Sequence, residues 1–471
     1  LSVLLLISAS HPSMIQAKIE EDLVRGLKKT VVNLEIARSF ALNRDQIGVT
    51  FGTGFIVEAK KGLIATNRHV SGSSPCQAKV TFENGETAEA LLIHYDFFHD
   101  FSFFKINPTE IEFKLNEIKI GNSNSLKEQD EVFLIGNNEK EEYSVKFGRV
   151  TNLVVDKGDR HSATFQTSFD RTGGSSGSPV FNATGEVVGI HYKGTNTTSF
   201  ELRIEYLRDA LTKIKSGEKI SRGEPGFELD LMNISDAVKH FHLPEKEAKR
   251  VQALRKDIKR IIYIDRIIPE SRAMGIFHPG DIVVELDGRL MGDDLYAFDL
   301  LLNSKVDSEV PITVFRNGKK LIFNIFVEDC EKNKVRRFAS FAGGVFHDLN
   351  PELRRSFEIN GTGTYLSQAN RGTSMAHLGF GTSKQPTDFV VVVEGINGMP
   401  TPDLDAFIAA AASLKNHDRI YILVRNFRSY RTSLNAKTIT LELKYHPLKV
   451  FKFNATKHEW MVEKLPGTGG K

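Results

Sequence analysis

Cysteine is nearly absent. Cys76 and Cys330 are the only two in 471 residues, so neither a disulfide framework nor a cysteine-rich zinc site can hold this chain together. Charge of one sign is lacking too. Lys+Arg 62 against Asp+Glu 59 leaves a net charge of +3, too little to argue for nucleic acid or an acidic substrate by bulk charge. Tryptophan occurs once, and no run of apolar residues is long enough to span a bilayer. What is present is globular in composition, with 40% hydrophobic and 26% charged residues. The 37 Gly and 33 Phe suggest β-rich domains with many turns, and the length calls for about three of them.

The opening residues 1–17 run from an apolar stretch into small and polar residues, like the core and cleavage region of a secretory signal. Residues 18–48 place Leu23, Leu27, Val31, Leu34 and Ile36 at roughly helical spacing, and are expected to be an N-terminal helical segment. From 49 to 220 the text is short apolar runs broken by Gly, Asn and Asp (GTGFIVE, FSFFKI, EVFLIGN, SPVFNATGEVVGIHY). That is the pattern of an all-β sandwich or barrel, closed by a helix that ends at Gly217. Residues 221–332 and 333–471 read as two copies of one mixed α+β unit. GFELDLMNISDAVKHF is matched by GVFHDLNPELRRSF, and DIVVELDGRLMGDDLYAF by FVVVVEGINGMPTPDLDAF. The offset of roughly 110–120 residues is that of a duplicated domain, not of a solenoid.

TGGSSGSPVF, residues 172–181, is a glycine-lined turn feeding a strand. Gly173, Gly174 and Gly177 can take positive φ. A turn of that kind can aim backbone N–H groups at one point beside the hydroxyl of Ser176, as an oxyanion hole requires. A serine nucleophile needs a base near neutral pKa, and His69 at the end of GLIATNRHV fits that role. Asp100, opening the strand DFSFFKI, can orient the imidazole and stabilise its cation. Asp96 competes for this part, unless it is simply a turn residue. The order His69, Asp100, Ser176 on a β background is that of chymotrypsin-type double barrels, not of subtilisin-like or α/β-hydrolase folds.

On these residues the sequence resembles the HtrA/DegP family of trypsin-fold serine proteases that carry PDZ domains. The carriers are GTGFIVE with GLIATNRHV, HDFSFFK, GGSSGSPVFNATGEVVGIHY and the PDZ-type segment PGDIVVELDG. NRHV, HDF, GGSSGSPV and HPLKVFKFNATKHEW resemble the branch that includes the fungal nuclear HtrA-type proteases. The fold implied is mainly β: a chymotrypsin-like double β-barrel followed by two PDZ-like α+β domains. The resemblance makes Ser176 the nucleophile, His69 the base and acid, and Asp100 its orienter, with the N–H groups of Gly174 and Ser176 binding the oxyanion. Ser175 and Ser178 depart from the Asn and Gly common in bacterial members, but both are small enough for the turn.

The activity implied is an ATP-independent serine endopeptidase acting on unfolded or extended polypeptides in protein quality control, with no metal and no cofactor. The reading from another class is a catalytically silent chaperone or peptide-binding scaffold on the same fold. Asp170 occupies the position of the S1 pocket floor in trypsin-like enzymes, or else is a solvated loop carboxylate paired with a neighbouring cation. Ile190, His191 and Tyr192 are candidate pocket walls. A PDZ domain takes a C-terminal peptide on a sheet edge with a backbone nest for the carboxylate. Glu224 and Pro225 make a poor nest in the first module. Gly343, Gly344 and Val345 in the second are the better candidate for C-terminal peptides. The basic stretch Leu243 to Arg260 reads as a solvated helix. The resemblance also implies homo-oligomers, trimers assembled through residues 18–48. The signal-like opening favours an exported, periplasmic or secreted location, with the nucleus as the alternative.

Overall fold

The computed structural model describes residues 21–96, 98–138, 141–156, 162–170, 174–195, 197–255, 258–378, 389–428 and 431–464. The signal-like residues 1–17 lie outside them. A helix, Glu21–Lys28, is followed at once by the strand Val31–Arg38. The helical spacing of this segment therefore holds only as far as Leu27. The β-branched run Thr30, Val31, Val32 resists helix, and Val32, Leu34 and Ile36 then alternate into a core with Ile56, Ile64, Val80 and Phe104. Residues 31–38 thus belong to the first barrel and not to a separate N-terminal element. Val24 and Leu27 of the helix pack against the core between the barrels. A Cβ on Gly185 would meet Leu23 at 3.0 Å. Part of this segment therefore packs within the chain.

The first barrel is closed by Val31–Arg38, Gly48–Glu58, Leu63–Thr66, Ser102–Lys105, Thr87–Tyr95 and Cys76–Thr81 in that spatial order. In the second, Pro179–Asn182 pairs with both Glu131–Asn138 and Glu186–Gly194, closing a sheet of seven strands. The helix Ile204–Ser216 follows, ended by Gly217 in the left-handed conformation.

The duplication is visible element by element. Ile282–Leu286 turns through Asp287 and Gly288, and Phe389–Ile396 through Asn397 and Gly398, all four at positive φ. The helices Leu295–Ser304 and Leu404–Ala412 are capped alike: Asp294 accepts from the Ala297 N–H, and Asp403 from the Ala406 N–H. One difference matters for ligands. Phe227–Asn233 lies at the edge of the first module's sheet, whereas Gly344–Asp348 lies between Arg337–Phe341 and Thr364–Ala369. The segment Leu243 to Arg260 contains the short helix Glu245–Gln252, with Ala248 and Val251 inward.

The second module is packed onto the first barrel. Leu42 and Phe40 enter a cluster with Val335, Phe338, Val345, Phe451 and Trp460. Asn43 is held from three sides. Its N–H donates to His347 Nε2 at 2.9 Å, its side-chain oxygen accepts from Asn350 at 2.7 Å, and its carbonyl accepts from the Tyr365 hydroxyl at 3.0 Å. His347 Nδ1–H donates to the Asp348 carbonyl, so the imidazole is neutral. Burial lowers its pKa from 6.5 to about 4, against the smaller upward pull of the Asp348 carbonyl, Glu352 and Asp45. A proton on Nε2 would face the Asn43 N–H. Between these two pKa values the unfolded chain binds a proton that the folded chain does not. The stability contributed is complete above pH 6.5 and is lost as pH falls toward 4, on the order of 3 kcal/mol. Urea midpoints at pH 7.5 and 4.5 should therefore differ less for His347→Gln than for wild type; equal differences would contradict this.

Candidate active site

The helix Arg68–Ser71 carries His69 and is only four residues long. Such a turn cannot hold itself, and Arg38 supports its C-terminal end, donating from Nη1 to the carbonyls of Val70 and Ser71 at 3.1 Å each. Asp100 bonds His69 at two points. One oxygen accepts the His69 backbone N–H at 2.8 Å, and the other meets Nδ1 at 2.8 Å. Asp100 reaches this position from a left-handed backbone, φ +50°, uncommon for a residue with a Cβ. Its carbonyl accepts from Asn67 Nδ2 at 3.0 Å. The His69 side chain is 46% exposed and that of Asp100 26%, so the imidazole is open to a substrate while its partner is shielded.

Asp96, the competitor, is excluded by its own contacts. It is fully buried, accepts the N–H groups of Phe98 and His99, and pairs with Arg222 Nε at 2.5 Å. Burial pushes its carboxyl up, but Arg222, then His99 and His94, outweigh this and hold it well below the usual carboxylate range.

The loop carrying Ser176 is clamped to the first barrel through Thr53. The Thr53 N–H donates to the Ser176 carbonyl at 2.9 Å, and its hydroxyl donates to the Gly174 carbonyl at 3.0 Å. The Thr53 carbonyl accepts from Thr66 at 2.7 Å, three residues before His69. Glycines make this approach possible. A Cβ on Gly52 would lie 2.5 Å from Val70 Cγ1 and 3.3 Å from the Ser176 carbonyl, and one on Gly177 would lie 2.1 Å from the Thr53 carbonyl. Gly174 and Gly177 have φ +85° and +87°, as the turn requires. Gly173 lies outside the described residues. Ser178 fits because position 136 is glycine: a Cβ there would come 1.9 Å from Ser178 Oγ. Nothing in the text flagged Thr53, Thr66 or Arg38, although GTG beside the His69 strand hints at a close backbone approach.

The expected pocket residues do not converge. Asp170 is not a buried floor; its side chain is 69% exposed and paired with Lys146 at 3.0 Å, which lowers its carboxyl pKa. Ile190 is fully buried in the core between the barrels, and Tyr192 packs on that same core. His191 points the other way, to Glu201 at 3.1 Å, and is buried. Its backbone does position the site: the carbonyl accepts the Gly177 N–H and the N–H donates to the Ser178 carbonyl, both at 2.9 Å.

The second module's expected nest lies in a hairpin. Ala342 and Gly343, at φ +51° and +84°, form a tight hairpin turn between paired strands. The Gly343 carbonyl accepts from the Asn370 N–H, Gly344 is paired with Phe341 and Ala369, and Val345 is buried beside Leu42. Gly344 and Val345 are thus spent on strand pairing and packing, which leaves no open sheet edge beside this turn. Glycines predict a turn, but they do not say which groups the turn leaves open. This module instead touches the site. Arg68, next to His69, pairs with Glu352 of the helix Pro351–Phe357 at 2.7 Å, with the two side chains 19% and 5% exposed. Cys76 is no competing nucleophile, since burial raises its thiol pKa to about 11.

Comparison with known proteins agrees with this geometry. Residues 52–190 match the trypsin-like peptidase domain and residues 334–417 the PDZ-like domain. The pro-apoptotic serine protease NMA111 of Yarrowia lipolytica is 28% identical over 429 residues, covering 89% of this chain and 43% of that protein. Its namesake in Aspergillus terreus is 27% identical over 444 residues, 92% of this chain and 41% of that protein. The chain thus spans about two fifths of the length of these relatives. Among solved structures, the HtrA-type protease AlgW with tripeptide aligns with a TM-score of 0.50 at 20% identity, over 65% of this chain and 96% of that one. The chain thus carries a trypsin-like peptidase domain followed by a PDZ-like domain, and in fold it is similar to the HtrA-type protease AlgW.

Gly177→Ala tests the clamp. Positive φ and the collision with Thr53 should together cost on the order of 3 kcal/mol, read as a lowered urea midpoint. A midpoint equal to wild type would show that the loop is not clamped this tightly.

Proposed function

We propose that the chain is a serine endopeptidase that cleaves unfolded or extended polypeptides without ATP, in protein quality control. The observation that supports this best is the two-point bond between His69 and Asp100, beside a Ser176 loop tied through Thr53 to the same barrel. Ser176 Oγ attacks the scissile carbonyl. His69, with Nδ1–H held by Asp100, takes the hydroxyl proton and returns it to the leaving amine. The N–H groups of Gly174 and Ser176 receive the developing oxyanion. Extended chains are the natural substrates because only they offer free backbone groups to a cleft of strands.

The fungal relatives favour the nucleus over the bacterial envelope as the working compartment, and a fluorescent fusion read by microscopy distinguishes the two. Homo-oligomers assembled through residues 18–48 remain part of the proposal, and light scattering reads their size.

Casein should be cleaved by wild type and not by Ser176→Ala, and a fluorophosphonate should label wild type only. Asp100→Asn should lower kcat by about 10⁴-fold. Activity should fall as the pH is lowered, because a protonated His69 cannot take the Ser176 hydroxyl proton. A folded wild type that neither cleaves nor labels would instead be a silent scaffold.

A further inference from the structure

The residues preceding Asp100 are held in part from outside the two barrels. Asp96 closes the turn with its own backbone, its N–H donating to the Phe101 carbonyl at 2.7 Å and its carboxylate taking the N–H groups of Phe98 and His99. The countercharge for that buried carboxylate is Arg222, from the first strand region of the first PDZ-like module. Its guanidinium is 4% exposed, and its backbone carbonyl accepts the Cys330 N–H at the far end of the same module. Cys330 packs with Tyr95 and Phe98. His99 stacks on Tyr206, with ring centroids 3.8 Å apart. The Tyr206 hydroxyl donates to Asp299 of the helix Leu295–Ser304 at 2.6 Å, and the same Asp299 oxygen lies 3.9 Å from His99 Nε2. His99 is also held by Ser162 of the second barrel at 2.9 Å, and Tyr95 by Lys334 of the second module, but the charge that faces Asp96 at hydrogen-bond distance is Arg222 of the first module.

We propose that Arg222 is a positioning residue for the peptidase reaction: through Asp96, the first PDZ-like module holds the turn that places Asp100 against His69. This rests on the assignment of His69, Asp100 and Ser176 as the catalytic groups. A buried carboxylate without its cation must take a proton or draw in water. Either change loosens the bonds from Phe98 and His99, and with them the left-handed backbone of Asp100. Misplacement of a catalytic group by about 1 Å costs on the order of 10²-fold.

The test uses the full chain, with casein as substrate and a fluorophosphonate as label. Arg222→Gln should lower kcat on the order of 10²-fold with little change in KM. It should also displace the acid limb of the rate against pH and slow labelling of the folded protein. Arg222→Lys, which keeps the cation, should recover part of the rate. Asp96→Asn with Arg222→Gln, which removes both charges and keeps an oxygen for the turn, should recover more than Arg222→Gln alone. If Arg222→Gln fails to fold, the lysine variant and the double variant carry the same comparison against wild type. The idea is overturned if a folded Arg222→Gln matches wild type. It is equally overturned if the variants lose rate only in proportion to the unfolded fraction, with an unmoved pH profile. Inactive wild type would instead sink the peptidase assignment itself.

Discussion

Both oxygens of one carboxylate, Asp100, are committed to one residue, His69. That pair of hydrogen bonds fixes the position of the His69 backbone and the tautomer of its ring at once, and the proposed chemistry needs both. It also sets a demanding condition, because Asp100 sits in a left-handed backbone within a short turn and His69 on a four-residue helix. Neither element is stable alone, so the alignment has to be imposed by the surroundings. Arg38 supports the helix end from the first barrel. Glu352 reaches Arg68 from the second PDZ-like module, and the first module surrounds the turn. The Ser176 loop arrives from the second barrel and is tied at Thr53.

The two modules, alike in sequence and in element order, have come to different use of their edges. In the second, the strand Gly344–Asp348 is paired on both sides, and Val345 is buried under the loop of Leu42. An added peptide strand has no place there. In the first, Phe227–Asn233 has an edge without a strand partner among the described residues, yet Glu228 on it is tied to Arg355 of the second module at 2.8 Å and to Arg266. Contacts that serve elsewhere as ligand sites are used here largely to join domains.

Much of this was legible in the residues. The strand-rich peptidase region, the duplicated module and the tight turn at Ser176 follow from local patterns. Alternation reports a half-buried strand, an aspartate before a helix reports a cap, and glycines flanking a serine report a tight turn. The misreadings share a cause. Asp170, Ile190 and Tyr192 were placed by distance along the chain from Ser176, but side-chain direction depends on register and on what lies across the sheet. Lys146 draws Asp170 to the surface, and the barrel core takes the other two. Gly343 and Gly344 do form a turn, but only the pairing of the neighbouring strands reveals that no open sheet edge lies beside it. The strand at Val31–Arg38 looked helical because Leu23 and Leu27 set the spacing before β-branched residues took over.

Local chemistry, then, is written in the chain: which segments become strands, where they turn, and which side chains are candidates for acyl transfer. It could not say which aspartate faces the imidazole. Asp96 and Asp100 lie four residues apart in the same turn, and their roles are separated by partners distant in the chain, Arg222 for one and His69 for the other. Burial and countercharge belong to places in space. They came into being only when the barrels and both modules closed around that turn.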